Sequence, residues 1–252
     1  MFFTNLLEAN MRTKHFQFDM TYYPRTESTS KDLWEIYNIT KKNNLFVITD
    51  NQMNGKGRGP NTWISIPNKS ITCSFLLKQV FNNTNLHSLL IPLAIIKGIK
   101  KFTNINLKIK WPNDIVYENK KISGILMQTK KNNANCLFNI GIGINVNEDI
   151  DDFPDDLKNN ITSLKIITNQ IIQREPLLAN IFNALDELIN NNDENYIINE
   201  WIKNCSHINQ KINFHYNNKL TSGTFKTINK NGQAVIQNNL KSINYNGVIE
   251  LL

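Results

Sequence analysis

The sequence predicts an α+β fold: a mixed or antiparallel sheet with packed helices, followed by a small C-terminal β-barrel. Three observations carry this expectation. Between Leu107 and Val146, apolar residues alternate with polar residues or glycines in several short runs, the period-two pattern of strands. Ser88–Phe102 and the stretch after Pro176 carry apolar residues at helical spacing. From about Ser206 the chain turns to short alternating runs split by Asn217-Asn218 and Asn231-Gly232, which are turn signals. With 252 residues, 40% of them hydrophobic, the chain can bury one sizeable core or a larger domain and a small one. Residues 1–205 are expected to form the first domain and 206–252 the second.

In order along the chain, Phe16-Gln17-Phe18 and Tyr22-Tyr23 read as an edge strand leading into Pro24. Ser28, Thr29 or Ser30 is expected to cap a helix carrying Leu33, Trp34, Ile36 and Tyr37. Leu45–Ile48 reads as a buried strand. It delivers the chain into Thr49–Trp63, where Gly55, Gly57 and Gly59 alternate with Lys56 and Arg58 ahead of Pro60. That stretch has no hydrophobic face, so a loop is expected, mobile when empty. Its glycines allow backbone N–H groups to turn inward as an anion nest, with Lys56 and Arg58 as countercharge. No GK[ST] follows at the required spacing, so it is not a Walker-type loop. Ile71–Leu77 reads as a strand. The Ser88–Phe102 helix is apolar on nearly all sides and therefore buried, with Pro92 tolerable only near its first turn.

The central stretch is Lys110-Trp111-Pro112-Asn113-Asp114. Leu107, Ile109 and Trp111 alternate with Lys108 and Lys110, Ile115-Val116-Tyr117 continues after a Pro-Asn-Asp turn, and Glu118-Asn119-Lys120 makes a second turn into Ile122–Met127. Asn113, Asp114 and Lys121 then stand at strand ends on a rigid sheet, which suits a reaction that needs charged groups held in place. The bland alternative is a meander with solvated lysines. In Leu137–Val146, Phe138, Ile140, Ile142, Ile144 and Val146 share one face, and Asn139, Gly141, Gly143 and Asn145 the other. A bare glycine face admits either a ligand or a closely packed neighbour. Residues 148–165 read as an acidic, Asn-rich surface loop. Pro176 opens a helix with Leu177, Leu178, Ile181, Leu185, Leu188 and Ile189 on one side, and a second helix carries Tyr196, Ile197, Trp201 and Ile202. The last strands are expected at Lys211–His215, Lys219–Ile228, Ala234–Gln237 and Val248–Leu251.

The net charge of +7 invites a nucleic-acid-binding module as one reading, but the charge is spread without a dense basic block. It equally suits attraction of ATP or an acidic partner. Cys73, Cys136 and Cys205 are far apart with no CxxC spacing, so a reducing compartment without disulfides is expected. The four histidines show no metal-ligand spacing. No run approaches the roughly 20 apolar residues of a membrane span, and Met1–Leu7 is too short for a signal peptide. A soluble, cytoplasmic protein is expected, starting at Met1 or at Met11.

Lys110–Asp114, the Lys121-Ile122-Ser123-Gly124-Ile125-Leu126 run and the Gly141–Asn147 run, in this order and spacing, resemble the biotin–protein ligase family. The resemblance runs from about Ser28 to Asn147. It implies a class II synthetase-like catalytic domain with an SH3-like C-terminal barrel. It also implies the activity of a biotin–[acetyl-CoA-carboxylase] ligase. Such an enzyme activates biotin with ATP and Mg²⁺ as biotinyl-5′-AMP, then transfers it to a lysine of a biotin carboxyl-carrier domain. Under the resemblance, Ser28, Thr29 and Ser30 face the biotin ring, and Gln52, Gly55, Lys56, Arg58 and Trp63 form the adenylate-binding loop. Lys110 and Asn113 serve the nucleotide, Lys121 grips the biotin carboxylate and the α-phosphate, and Arg58 shields charge. Asp114 orients or deprotonates the acceptor amine and is the place for Mg²⁺. Gly124, Gly141, Gly143 and Asn145 form the wall. Ser30 stands where the family usually has Asn, and Gly59 and Asn61 where some members have Arg. No room precedes Ser28 for a helix-turn-helix domain, so no DNA partner is expected; a homodimer is left open. A lipoate or octanoate ligase or transferase is the alternative within the same architecture.

Overall fold

The computed structural model describes residues 1–132, 135–239, 241–247 and 249–251. Val248, expected in the last strand, lies outside them. A seven-stranded sheet forms the larger part. It is built from β1 (Asp19–Tyr23), β2 (Leu45–Thr49), β5 (Ile71–Lys78), β6 (Lys108–Lys110), β7 (Asp114–Tyr117), β8 (Lys120–Asn132) and β9 (Asn135–Ile144), in the order β1-β2-β5-β9-β8-β7-β6. Only β1–β2 is parallel, so the sheet is mixed, as expected. Two short strands, β3 (Gly55–Lys56) and β4 (Thr62–Trp63), pair with each other as a separate hairpin.

The two faces of the sheet have different fates. Phe46, Ile48, Cys73, Phe75, Phe138, Ile140 and Ile142 point to one face and join the main core with α3 (Leu86–Lys100), α5 (Arg174–Asn191) and α6 (Glu194–Asn204). Each fully buried side chain of this kind contributes roughly 1.5–3 kcal/mol. Pro92 sits in the second turn of α3, not the first, because the helix begins at Leu86; it forgoes one intrahelical hydrogen bond in a wholly buried setting. On the opposite face, α2 (Thr29–Thr40) covers Leu45, Val47, Leu76 and Leu137 with Leu33 and Tyr37, and Asn139 with Ser30. The rest of that face is left open, and it is there that the other polar and the glycine positions of the strands lie.

Several expectations are corrected. Residues 1–10 carry an unforeseen helix, α1 (Thr4–Asn10), packed on α5 with Phe2 and Leu7 buried. Residues 148–165 are not simply a surface loop. After a 3₁₀ turn at Ile150–Asp152 the chain returns to the sheet, burying Thr162 and Ser163 ahead of α4 (Leu164–Thr168), because the Ser163 hydroxyl and the Thr162 backbone groups find partners there. The C-terminal part holds five strands: β10 (Lys211–Tyr216), β11 (Lys219–Ile228), β12 (Ala234–Asn238), β13 (Lys241–Tyr245) and β14 (Ile249–Leu251), ordered β13-β12-β11-β10-β14. β13 was not foreseen, since Lys-Ser-Ile-Asn-Tyr carries too little apolar signal. The five strands form one antiparallel sheet, consistent with the expected SH3-like domain; among the described residues no ladder joins β13 to β14. None of the described helices is long and apolar enough to cross a membrane.

Candidate active site

The open face of the sheet floors a cleft of about 320 Å³. The register explains its shape. Thr72, Gly143, Gly124, Asp114 and Lys110 lie in one cross-strand row, and Ser74, Gly141 and Leu126 in the next. Three of these eight positions lack side chains, so the centre of the floor is bare backbone. A Cβ added at Gly143 would lie 2.2 Å from Cε2 of Trp63, whose indole rests on the strand there. The indole Nε1 is buried without a partner among the described residues.

The cationic end is organised by a β-bulge. Ile115 pairs with Ser123 but Val116 pairs with Lys121, so Ile122 is the extra residue on β8. In a regular ladder, Lys121 and Ile122 would exchange faces. With the bulge, Ile122 enters the core at 0% exposure and Lys121 projects over the cleft. The peptide groups freed at Lys121 are taken by the returning segment: Lys121 N–H donates to the Asn160 carbonyl at 2.8 Å, and Thr162 N–H donates to the Lys121 carbonyl at 2.9 Å. Lys121 Nζ stands 2.8 Å from Asp114 Oδ1 and 6.0 Å from the Trp63 ring centroid.

The Lys110–Asp114 turn contains a cis Trp111-Pro112 bond. It is held from behind: the Trp111 indole N–H donates to the Gly247 carbonyl at 2.9 Å, and its ring meets Trp201 edge-on. Asn113 is stapled to the edge of β8. Its side-chain amide donates to the Ile125 carbonyl, and its own carbonyl accepts from Ile125 N–H at 3.1 Å.

At the opposite end, Ser28 is the N-cap residue of α2, one of the three positions expected, but its hydroxyl makes no capping bond. Thr29 N–H donates to Gln52 Oε1 at 2.8 Å, and the Thr29 hydroxyl shares a hydrogen bond with that of Ser74 at 2.8 Å. Neutral hydroxyls and amides thus face cations across the glycine floor.

The Gly-basic stretch is a hairpin rather than an unstructured loop. Gly57 N–H donates to the Asn61 carbonyl at 2.8 Å, and Gly59 takes φ +62°, the left-handed conformation that glycine tolerates. Arg58 Nη2 donates to the Asn246 carbonyl at 3.1 Å, so the flap touches the C-terminal sheet.

Of the expected site residues, Ser28, Thr29, Ser30, Gln52, Lys56, Arg58, Trp63, Lys110, Asn113, Asp114, Lys121, Gly124, Gly141 and Gly143 all line the cleft. Gly55 and Asn145 do not. A Cβ at Gly55 would strike the Trp63 carbonyl at 2.3 Å, so that glycine is there for close packing within the hairpin. Asn145 is buried, donating through Nδ2 to the Thr162 carbonyl at 3.0 Å and through its backbone N–H to the Ile122 carbonyl at 2.8 Å; it braces the bulge instead of meeting a ligand. Sequence reasoning missed Thr72 and Ser74, which an alternation count along Ile71–Lys78 would have placed on the open face. It also missed the buried Asp50–Arg174 pair at 2.8 Å beneath the start of the flap. Burial pulls the Asp50 carboxyl upward, but the Tyr22 hydrogen bond and Arg174 outweigh it and hold the pKa below the usual range. The Tyr22 phenol is pushed up to about 12, first by burial and then by Asp50.

Residues 22–147 match the model of the biotin/lipoate A/B protein ligase family. The chain belongs to that family. The bifunctional ligase/repressor BirA of Bacillus subtilis is 33% identical over 179 residues, 69% of this chain and 55% of that protein. Human biotin–protein ligase is 27% identical over 150 residues, 56% of this chain and 21% of the human protein. The chain thus spans about half the length of the Bacillus relative. In fold, the family likeness extends further: a structure of biotin protein ligase from Aquifex aeolicus in complex with biotin and ATP superposes with a TM-score of 0.80 at 22% identity, covering 94% of this chain and 99% of that one.

Proposed function

We propose that this chain ligates biotin to a lysine of a biotin carboxyl-carrier domain at the expense of ATP, through biotinyl-5′-AMP. The observation that carries the reading is the cleft's polarity: a neutral hydroxyl and amide end, a glycine floor on which the Trp63 indole rests, and Lys121 paired with Asp114 at the other end. The human relative is a biotin–protein ligase and the Aquifex structure is a biotin protein ligase in complex with biotin and ATP, which favours biotin over lipoate.

In the first half-reaction the biotin carboxylate attacks the α-phosphorus of ATP, and pyrophosphate leaves. Negative charge gathers where Lys121 stands, with Lys110, Lys56 and Arg58 around it, and fixed cations there lower the barrier. The ligand carboxylate and α-phosphate compete with Asp114 for Lys121. As Lys121 turns to them, Asp114 is released. In the second half-reaction the carrier's lysine amine attacks the acyl carbonyl and AMP departs. That amine must lose its proton, and the freed Asp114 is the carboxylate beside the reacting centre that accepts it.

Among the described residues Asp114 is the only acidic one lining the cleft, and no cluster of three metal-ligating side chains exists among them. That donor set suits a Mg²⁺ ion that arrives on the nucleotide's phosphates and keeps most of its waters, with Asp114 as its protein partner. It would supply screening of phosphate charge. Residues 1–205 would form the catalytic unit and 206–252 the accessory one, and three free, buried cysteines fit a reducing, cytoplasmic setting. Calorimetric titration with D-biotin and with lipoate tests the reading. Saturable binding of D-biotin alone is expected, and preference for lipoate would replace biotin as the substrate.

A further inference from the structure

Behind the hydroxyl end of the cleft lies a buried amide cluster that the roles above leave unused. Asn139 stands on β9 two residues before Gly141, on the same face, at 0% exposure. Its Nδ2 donates to the Ser30 carbonyl at 2.8 Å and to Ser30 Oγ at 3.1 Å. Ser30 Oγ donates to Gln128 Oε1 at 2.9 Å, and the Trp34 indole N–H reaches the same oxygen at 2.8 Å. Gln128 sits directly across the ladder from Asn139.

The amide of Asn139 has one sensible orientation. A backbone carbonyl only accepts, so the nitrogen must face Ser30. Asn139 Oδ1 is then buried with no partner among the described residues. Its ladder neighbour on β5 is Leu76, part of the apolar cluster under α2. An apolar side chain would sit there without leaving an oxygen unsatisfied, so Asn139 is a costly choice for stability alone. The Ser30 hydroxyl, for its part, gives its one proton to Gln128 and accepts from Asn139. With that proton spent inside the protein, the hydroxyl can offer a ligand in the cleft no donor, and its main work is to hold the first turn of the helix.

We infer that Asn139 and Ser30, with Gln128 and Trp34, are positioning residues that set the first turn of α2 and thereby the affinity for the ring end of the small acid. They act through Ser28 and Thr29, the hydroxyls that line the cleft beside them. This rests on the biotin reading.

The test is calorimetry of D-biotin on the full chain, with ATP kinetics and melting temperatures alongside. Asn139→Val should melt at or above the parent temperature yet bind D-biotin about tenfold more weakly, or about 1.4 kcal/mol, while KM for ATP moves less than twofold. Adding Ser30→Asn, whose longer amide reaches Gln128 and fills the vacated space, should recover most of that loss. Should N139V fail to fold, Ser30→Ala takes its place with a loss of about fivefold expected, since it deletes only the shared hydroxyl. Unchanged D-biotin affinity, a lower melting temperature with unchanged affinity, or equal losses for biotin and ATP each overturn the inference. A parent chain that binds no D-biotin overturns the biotin reading and this inference together. Normal parent binding with an indifferent variant overturns the inference alone.

Discussion

Gly143→Ala is the substitution in which the structure's numbers are most exposed. The added methyl would lie 2.2, 2.5 and 2.6 Å from Cε2, Cζ2 and Cδ2 of the Trp63 indole. Carbon atoms in contact rest about 3.5–4.0 Å apart, so the ring must withdraw by roughly 1.3 Å. Trp63 is paired with Gly55 in the flap hairpin, so the backbone that carries Lys56 and Arg58 is displaced with it. A misplacement of about 1 Å around a reacting centre costs about 10²-fold in rate, or about 2.7 kcal/mol of transition-state stabilisation. Gly141→Ala supplies the control for bulk alone: its methyl meets Ser74 Oγ at 3.5 Å and Leu126 Cβ at 3.7 Å, ordinary contacts that leave Trp63 in place. Pyrophosphate release from biotin and ATP should therefore fall about a hundredfold in G143A and far less in G141A. Equal rates in the two variants would refute the idea that the glycine at 143 makes room for the tryptophan.

Three further outcomes are expected. Lys121→Ala removes a charge-assisted contact worth roughly 1.5–3 kcal/mol, so adenylate formation should drop by about tenfold or more; a near-normal rate in a pyrophosphate assay would take Lys121 out of the chemistry. Arg58→Gly cuts the tie between the flap and the Asn246 carbonyl, so biotinyl-AMP should leak and label bystander lysines, read by peptide mass spectrometry; labelling confined to the carrier would show that the flap is not the gate. Glu148 is fully buried, and burial pushes its carboxyl up to about 7, against the Ser70 hydrogen bond. A folded-state pKa raised above the unfolded one gives stability that is complete below about pH 4.5 and lost as pH rises through about 7. Urea unfolding should show Glu148→Gln gaining on the parent by up to about 3 kcal/mol at pH 8 relative to pH 4.5. A constant difference between them across that range would contradict the burial argument.

The parts of this molecule that were legible beforehand are those written in short-range pattern. The alternation in Leu137–Val146 put the glycines on the open face and the isoleucines in the core, which is where they lie. Glu118 and Asn119 both take positive φ, 47° and 65°, closing the β7–β8 hairpin at the turn expected from the text. The Lys110–Asp114 and Lys121 motifs converge as expected because one hairpin joins them. What escaped depends on distant pairing. The bulge at Ile122 exists only relative to β7, and the rescue of the Lys121 peptide groups comes from residues 160–162. Arg174 meets Asp50 across 124 positions, which no local window can register. Asn145 sits on the glycine side of its strand by alternation, yet the strand has ended at Ile144, and its amide turns to Thr162.

The proposed chemistry is tested most directly by the intact mass of a biotin carboxyl-carrier domain after incubation with this chain, D-biotin, ATP and Mg²⁺. The account predicts one added biotinyl group per carrier, on one lysine, with none added when ATP is omitted. A carrier whose mass stays unchanged, with no biotinyl-AMP formed, would contradict it.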